Sequence, residues 1–337
     1  MKILSRTALT LVPKLLPALL FALALPAAYA DPVPGSADMH WDAGADDCAG
    51  HKAAPIEVHA YNADTYVLRE DLCSTWEAPF MYLLIGRQRA LLIDTGDVAD
   101  PKLMPLASTV LGLLPGEGAA KLPLLVVHSH THLDHRAGDP QFQGLPGVTL
   151  VAAQLPSVEK FFGFKDWPQG MAQLDLGDRV VDVLPAPGHN LAHVVYYDLD
   201  TGLLLSGDFL MPARLLVDEL AAYKASAQRV AAFVRDRPVS HVLGGHVEKD
   251  AHGQLFDWES TFHPDEAPLA LGKADVLGLP AALDKFNGFY TETGGYVIMN
   301  PMHNLEAFAA AVLLVLAGLG VLVYRLIKRW RRKRQAA

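Results

Sequence analysis

Basic residues are scarce over most of this 337-residue chain. Of its 28 Lys and Arg, three lie in the first thirty residues and seven lie from Arg325 onward, and neither end holds an Asp or Glu. The stretch between sets 18 basic side chains against all 37 acidic ones, an excess of about 19 negative charges. Such a surface repels a phosphate backbone, so no nucleic-acid partner is expected. Cysteine is scarce too, with only Cys48 and Cys73. They admit one disulfide, worth roughly 3 kcal/mol in the chain-entropy model, or two buried thiols, and an oxidising compartment favours the bridge. No internal repeat stands out. What is abundant is apolar residues, 51% of the chain, which is enough for a large buried core and excludes a disordered protein.

The two ends are apolar in different ways. Lys2, Arg6 and Lys14 lead into the run Leu15 to Leu25, and Ala28 and Ala30 bracket Tyr29, the pattern of a secretory signal cleaved after Ala30. An uncleaved anchor fits less well, because Leu15 to Ala28 is short for a span of about 20 residues and Pro17 and Pro26 interrupt it. Leu305 to Ile327 is long enough to cross a bilayer and shows no polar face from Ala307 to Val323. It runs into Lys328, Arg329, Arg331, Arg332, Lys333 and Arg334, which the positive-inside rule places in the cytoplasm with the body of the chain on the other side, periplasmic or extracellular. The expected organisation is a signal peptide (1–30), an irregular lead-in (31–55), a catalytic domain (56–262), a juxtamembrane extension (263–304), a transmembrane helix (305–327) and a basic cytoplasmic tail (328–337).

Within the domain, short apolar runs alternate with helical patterns. Met81–Ile85 and Ala90–Ile93 read as a hairpin ending at Asp94, Pro101–Leu114 as a helix and Leu124–Val127 as a buried strand. Val148–Ala152, Val180–Leu184, Val194–Tyr197, Leu203–Leu205 and Val239–Leu243 read as further strands, with helices at Ser157–Phe162 and Asp218–Arg235.

The sharpest chemical signal follows the Leu124–Val127 strand: His130-Thr131-His132-Leu133-Asp134-His135. Imidazole nitrogen and carboxylate oxygen suit zinc and its divalent neighbours, and four of them within six residues make half of a metal site. Three more strands end in a Gly turn followed by one such residue: His189 after Pro187-Gly188, Asp208 after Ser206-Gly207 and His246 after Gly244-Gly245. Each of these alone is a turn more often than a site. His128 reads as a strand-end residue outside the ligand set.

Taken in order, Asp94, the six-residue motif, His189, Asp208 and His246 resemble the five motifs of the metallo-β-lactamase superfamily, with a glyoxalase II-like ligand set, over about residues 56 to 250. The resemblance implies an α/β fold, a four-layer αββα sandwich, here carrying one C-terminal transmembrane helix. It also implies two divalent ions, zinc first with iron or manganese as alternatives. His130, His132 and His189 would bind one ion, Asp134, His135 and His246 the other, and Asp208 both. Asp94 would support the ligand loop, Asp134 would also assist the nucleophile, and His193 is expected to support the ligand imidazoles.

The activity so implied is metal-dependent hydrolysis of a small ester, thioester or lactone by a hydroxide shared between two metals. The lactamases of the superfamily lack aspartate at the bridging position, so Asp208 argues against the alternative of β-lactam hydrolysis. A second alternative is an iron-dependent oxidoreductase of the same superfamily, though His135 and His246 complete a second-metal set and no flavin domain fits in the chain. A tethered binding protein with a dead site has no need of all seven ligands. An aromatic cluster of Phe161, Phe162, Phe164 and Trp167 reads as core packing first and as a substrate groove second.

Overall fold

A computed structural model describes residues 30–118 and 121–335, so nearly all of the expected signal peptide lies outside the described residues. Two buried faces, rather than one buried and one wet, organise the strands. The first six are β1 (Ile56–Asn62), β2 (Thr65–Glu70), β3 (Phe80–Ile85), β4 (Ala90–Ile93), β5 (Leu124–Val127) and β6 (Val148–Leu150). They form one sheet in chain order, antiparallel from β1 to β4 and parallel from β4 to β6. The later strands are β7 (Ala172–Asp175), β8 (Val180–Pro185), β9 (Val194–Asp198), β10 (Leu203–Gly207), β11 (Arg214–Leu216), β12 (His241–Gly244), β13 (Ala270–Leu271), β14 (Tyr290–Glu292) and β15 (Val297–Met299). Their second sheet runs β13-β12-β10-β9-β8-β7, and β11-β15-β14 make a small third one.

Successive side chains of a strand point to opposite faces, which assigns each residue to a layer. Leu91, Ile93, Leu125 and Val127 meet Val181, Val183, Val194, Tyr196 and Leu205 in the core between the two large sheets. Their neighbours Ala90, Leu92, Leu124 and Val126 face the other way, onto α1 (Leu106–Leu113). On the far side, Val195, Tyr197, Leu204 and Val242 pack under α3 (Leu220–Val234) and α4 (Lys273–Lys285). The result is the expected αββα layering, and burial on both faces explains why the strands read as continuous apolar runs. The short α2 (Leu155–Phe162) lies at the edge of the central core through Val158 and Phe162.

Three expectations change. The helix expected from Pro101 begins only at Leu106, because a proline at position 105 disfavours helical backbone in the residue before it. The lead-in 31–55 is part of the folded body: Val33 N donates to Asp200 O at 2.7 Å, Trp41 packs edge-on against Phe80, and Cys48 and Cys73 form a disulfide. Residues 263–304, expected as an extension, supply β13, α4, β14 and β15, with Val276, Leu279 and Leu283 of α4 fully buried. Glu266 also accepts both guanidinium nitrogens of buried Arg69, at 2.8 and 2.7 Å. Two- and three-residue strands and a helix carrying Pro280 leave too weak a period to be read in sequence.

The last helix, α5, spans Pro301–Gln335 and starts earlier than the expected 305. Within Pro301–Arg332 an 18-residue stretch reaches a mean hydropathy of 2.5 with none of it buried. By length and composition it is the one helix among the described residues that can cross a membrane.

Candidate metal centre

Every ligand-type residue picked out above stands just past a strand end. Asp94 follows β4, the six-residue motif follows β5, His189 follows β8, Asp208 follows β10 and His246 follows β12. β4 and β5 are parallel neighbours, as are β10 and β12, so their C-terminal loops leave the same edge of each sheet. Two glycines allow the close approach. A Cβ on Gly245 would stand 2.2 Å from Asp208 Oδ1, and Gly188, at φ +148°, would place one 2.4 Å from the Tyr223 backbone.

The loops bring two groups together, His130, His132, His189 and Asp208 in one and Asp134, His135, His246 and Asp208 in the other, with the donor atoms of each group within 4.8 Å of one another. In the first, His189 Nε2 is 3.1 Å from His132 Nδ1 and 3.4 Å from Asp208 Oδ2, with His130 Nε2 at 3.9 Å from that oxygen. In the second, Asp134 Oδ2 is 3.0 Å from His135 Nε2 and 3.2 Å from His246 Nε2, and those nitrogens are 3.3 Å apart. Asp208 Oδ1 lies 3.3 and 3.7 Å from the same two nitrogens.

Tetrahedral ligands about 2.0–2.1 Å from a single ion stand about 3.4 Å from each other, so both groups have the spacing of a zinc-class site. His130 Nε2 and Asp208 Oδ1 are buried without a hydrogen-bond partner, the condition of atoms shaped to bind something else. Asp208 turns one oxygen toward each group. The residues therefore fit two divalent ions.

Further contacts fix the rings. His135 Nδ1 lies 2.9 Å from Asp94 Oδ2, which also accepts from Ser129 Oγ at 2.8 Å, while Asp94 Oδ1 accepts from Ser129 N at 2.7 Å. His189 Nδ1 faces Leu216 O at 3.0 Å and His246 Nδ1 faces Glu77 O at 2.7 Å. An Nδ1–H donated outward leaves the Nε2 lone pair aimed into the cluster.

Charge follows the same division. Burial alone would raise the Asp134 and Asp208 carboxyls, but the adjacent His135 outweighs it and holds both well below the usual carboxylate range. Burial lowers His246, yet Asp208 and Asp134 overcome it and draw the ring up to about 10. In the first group burial and the crowd of imidazoles push His130 well down.

His193 stands beside the ligand set, not in it. It stacks on the His130 ring, with centroids 5.1 Å apart and 19° between planes, and neither of its buried nitrogens has a hydrogen-bond partner, so it packs against a ligand instead of orienting one. His128 stands outside the cluster and pairs with Asp139 at 2.7 Å. Of the aromatic cluster, Phe162, Phe164 and Trp167 pack into or against the core and Phe161 alone is exposed. Sequence reasoning missed Ser129, which sits inside the histidine run, and the carbonyls of Glu77 and Leu216, for which side-chain chemistry gives no signal.

Residues 74–246, half of the chain, match the family model of the metallo-beta-lactamase superfamily. The chain belongs to that superfamily. Among curated superfamily relatives, the acyl-coenzyme A thioesterase MBLAC2 of Gallus gallus is 27% identical over 215 residues, 54% of this chain and 77% of that one. The hydroxyacylglutathione hydrolase of Dechloromonas aromatica is 30% identical over 160 residues, 47% of this chain and 54% of the enzyme. The chain thus spans about half the length of that hydrolase. Among solved structures, the metallo-beta-lactamase from Pontibacter korlensis is 16% identical, with a TM-score of 0.47 over 68% of this chain and 100% of that one. This superfamily member is a hydrolase with a His/Asp cluster suited to divalent metal.

Proposed function

We propose that the protein is a membrane-anchored thioester hydrolase whose catalytic body lies outside the cytoplasm, with ester and lactone bonds in the same reactive class. The observation that carries this reading is the Asp208 carboxylate, one oxygen facing His189 and His130 and the other facing His135 and His246. His130, His132 and His189 would hold one divalent ion, Asp134, His135 and His246 the second, with Asp208 shared and zinc favoured by the N/O donor set. When bound, such a pair supplies Lewis acidity, making water more acidic and polarising a carbonyl oxygen.

The chain's own residues do the rest. Asp134 is the more exposed carboxylate of the cluster, its side chain 17% exposed against 7% for Asp208, so it can take a proton from the attacking water. The water oxygen bonds to the acyl carbon, the C–S bond breaks, and the proton passes to the departing thiolate. Asp94 holds His135 in one orientation throughout. Two exposed leucines stand on the ligand loops, Leu133 between His132 and Asp134 and Leu191 two residues after His189. They offer apolar surface to an acyl chain. The two curated relatives, by their names hydrolases of acyl-CoA and hydroxyacylglutathione thioesters, support that choice.

The test is a hydrolysis screen of the zinc-loaded full chain in detergent against acyl-CoA, acyl-glutathione, lactone, phosphodiester and β-lactam substrates. Thioester cleavage at the highest kcat/KM is expected. Preference for β-lactams or phosphodiesters would overturn the proposal.

A further inference from the structure

A third group of metal-ligand type lies apart from the centre, and no step above uses it. Asp42, in the lead-in, His51, after the short turn Cys48–Gly50, and Asp71, at the end of β2, bring a ring nitrogen and two carboxylate oxygens within 4.8 Å of one another. His51 Nε2 is 2.9 Å from Asp42 Oδ1 and 3.6 Å from Asp71 Oδ1. These spacings bracket the separation of about 3.4 Å between ligands that share one zinc-class ion.

Two observations set this cluster apart from a surface ion pair. The Asp71 side chain is 8% exposed, and its Oδ1 has no hydrogen-bond partner, although its Oδ2 accepts from Ser74 Oγ at 3.0 Å. His51 Nε2 is also buried, and hydrogen-bond geometry is met with neither carboxylate. An imidazolium forming a salt bridge would point its N–H at one of them. Here the two unpartnered atoms stand 3.6 Å apart. A third carboxylate, Glu57, is tied to the group by accepting Asp42 N at 2.9 and 3.1 Å. The Cys48–Cys73 bridge clamps the two ligand-bearing segments together, three residues before His51 and two after Asp71.

We propose that Asp42, His51 and Asp71 form a third divalent-cation site, taking zinc or a similar borderline ion, that fastens the lead-in to the end of β2. One imidazole and two carboxylates suit such an ion, with water completing the shell. Three protein ligands at the molecule's rim give an exchangeable site, weaker than a closed four-ligand one.

The test is a Zn2+ titration of chelator-stripped full chain in detergent, read as equivalents bound in competition with a chelating dye. Asp42 is partly exposed, so Asp42→Asn should not disturb folding, and His51→Gln is the second variant. Both should bind one equivalent fewer than wild type, or hold that equivalent at least tenfold more weakly, and should lose the part of the Zn2+-dependent rise in Tm that this site provides. Asp208→Ala should keep the equivalent that they lose. The difference between wild type and these variants reads the third site whatever the total, so failure of the two-metal centre would show separately. Equal stoichiometry and affinity in wild type, Asp42→Asn and His51→Gln would overturn the site.

Discussion

Asp94 Oδ2 stands 2.9 Å from His135 Nδ1, and the aspartate that makes this contact is 1% exposed and held at φ +69°. Its left-handed backbone turns the carboxylate under the histidine loop, so strain at one residue sets the direction of a ligand ring. Asparagine tolerates this conformation and alanine does not. Asp94→Asn is therefore expected to fold and to bind metal 10- to 100-fold more weakly. Asp94→Ala should add a loss of about 1 kcal/mol or more in stability. Chelator competition and urea unfolding measure the two effects, and unchanged metal affinity in Asp94→Asn would remove the supporting role.

Asp208→Ala takes one ligand from each group. Circular dichroism should show an unchanged fold, because the core is built from strand and helix side chains remote from this loop. Metal content should fall clearly, and activity should drop at least about a hundredfold, or about 2.7 kcal/mol of transition-state stabilisation. Two metals per chain with near-normal turnover would contradict the shared-ligand assignment.

Replacing Cys48 and Cys73 together with serine reopens a link across 25 residues of chain. The chain-entropy model gives a loss of about 3 kcal/mol, read as a lower urea midpoint under non-reducing conditions. Equal midpoints for the variant and wild type would mean that the denatured chain is already constrained there.

Arg69 is buried to 2% side-chain exposure and meets Glu266 in a bidentate pair. Glu266→Ala strands a buried guanidinium and is expected to cost about 3–5 kcal/mol. Replacing both partners with apolar residues, Arg69→Met with Glu266→Leu, should recover most of that loss. A double variant no better than the single one would show that the pair does more than neutralise itself.

For topology, protease added to intact spheroplasts is expected to digest the folded body and spare the C-terminal tail. Digestion of the body only after lysis would reverse the proposed orientation.

The legibility of these features in sequence follows chain distance. The histidine run after β5 and the Gly-His and Gly-Asp turns after β8, β10 and β12 are local, so the loops that converge were readable before the strands were aligned. The sandwich is readable through its central strands β3, β4, β5, β9 and β10, which are buried on both faces and hence largely apolar, whereas the edge strands β1 and β7 alternate with polar residues. Arg69 and Glu266 lie 197 residues apart and carry no local pattern, and the three-residue strands β11, β14 and β15 are too short to show a period. The pairing of Asp42 and Asp71 with His51 needs the register of β2 and the disulfide together. For His193 the spacing from His189 shows proximity to the ligands, whereas its stacking on His130 depends on ring orientation that spacing does not carry.

Only Asn300 separates β15 from α5, and that residue is fixed on both sides. Asn300 N donates to Phe289 O at 3.1 Å, its Oδ1 accepts from His303 N at 2.9 Å, and Asn304 Nδ2 reaches Phe289 O at 3.1 Å. The preceding strand is itself welded to the ligand region, since Val217 N donates to Met299 O while Leu216 O receives the His189 ring. The body thus sits on a stiff post and not on a leash. Under the proposed membrane anchoring, a bilayer holding α5 would also fix how far the ligand loops stand from the lipid surface, because no free segment lies between them.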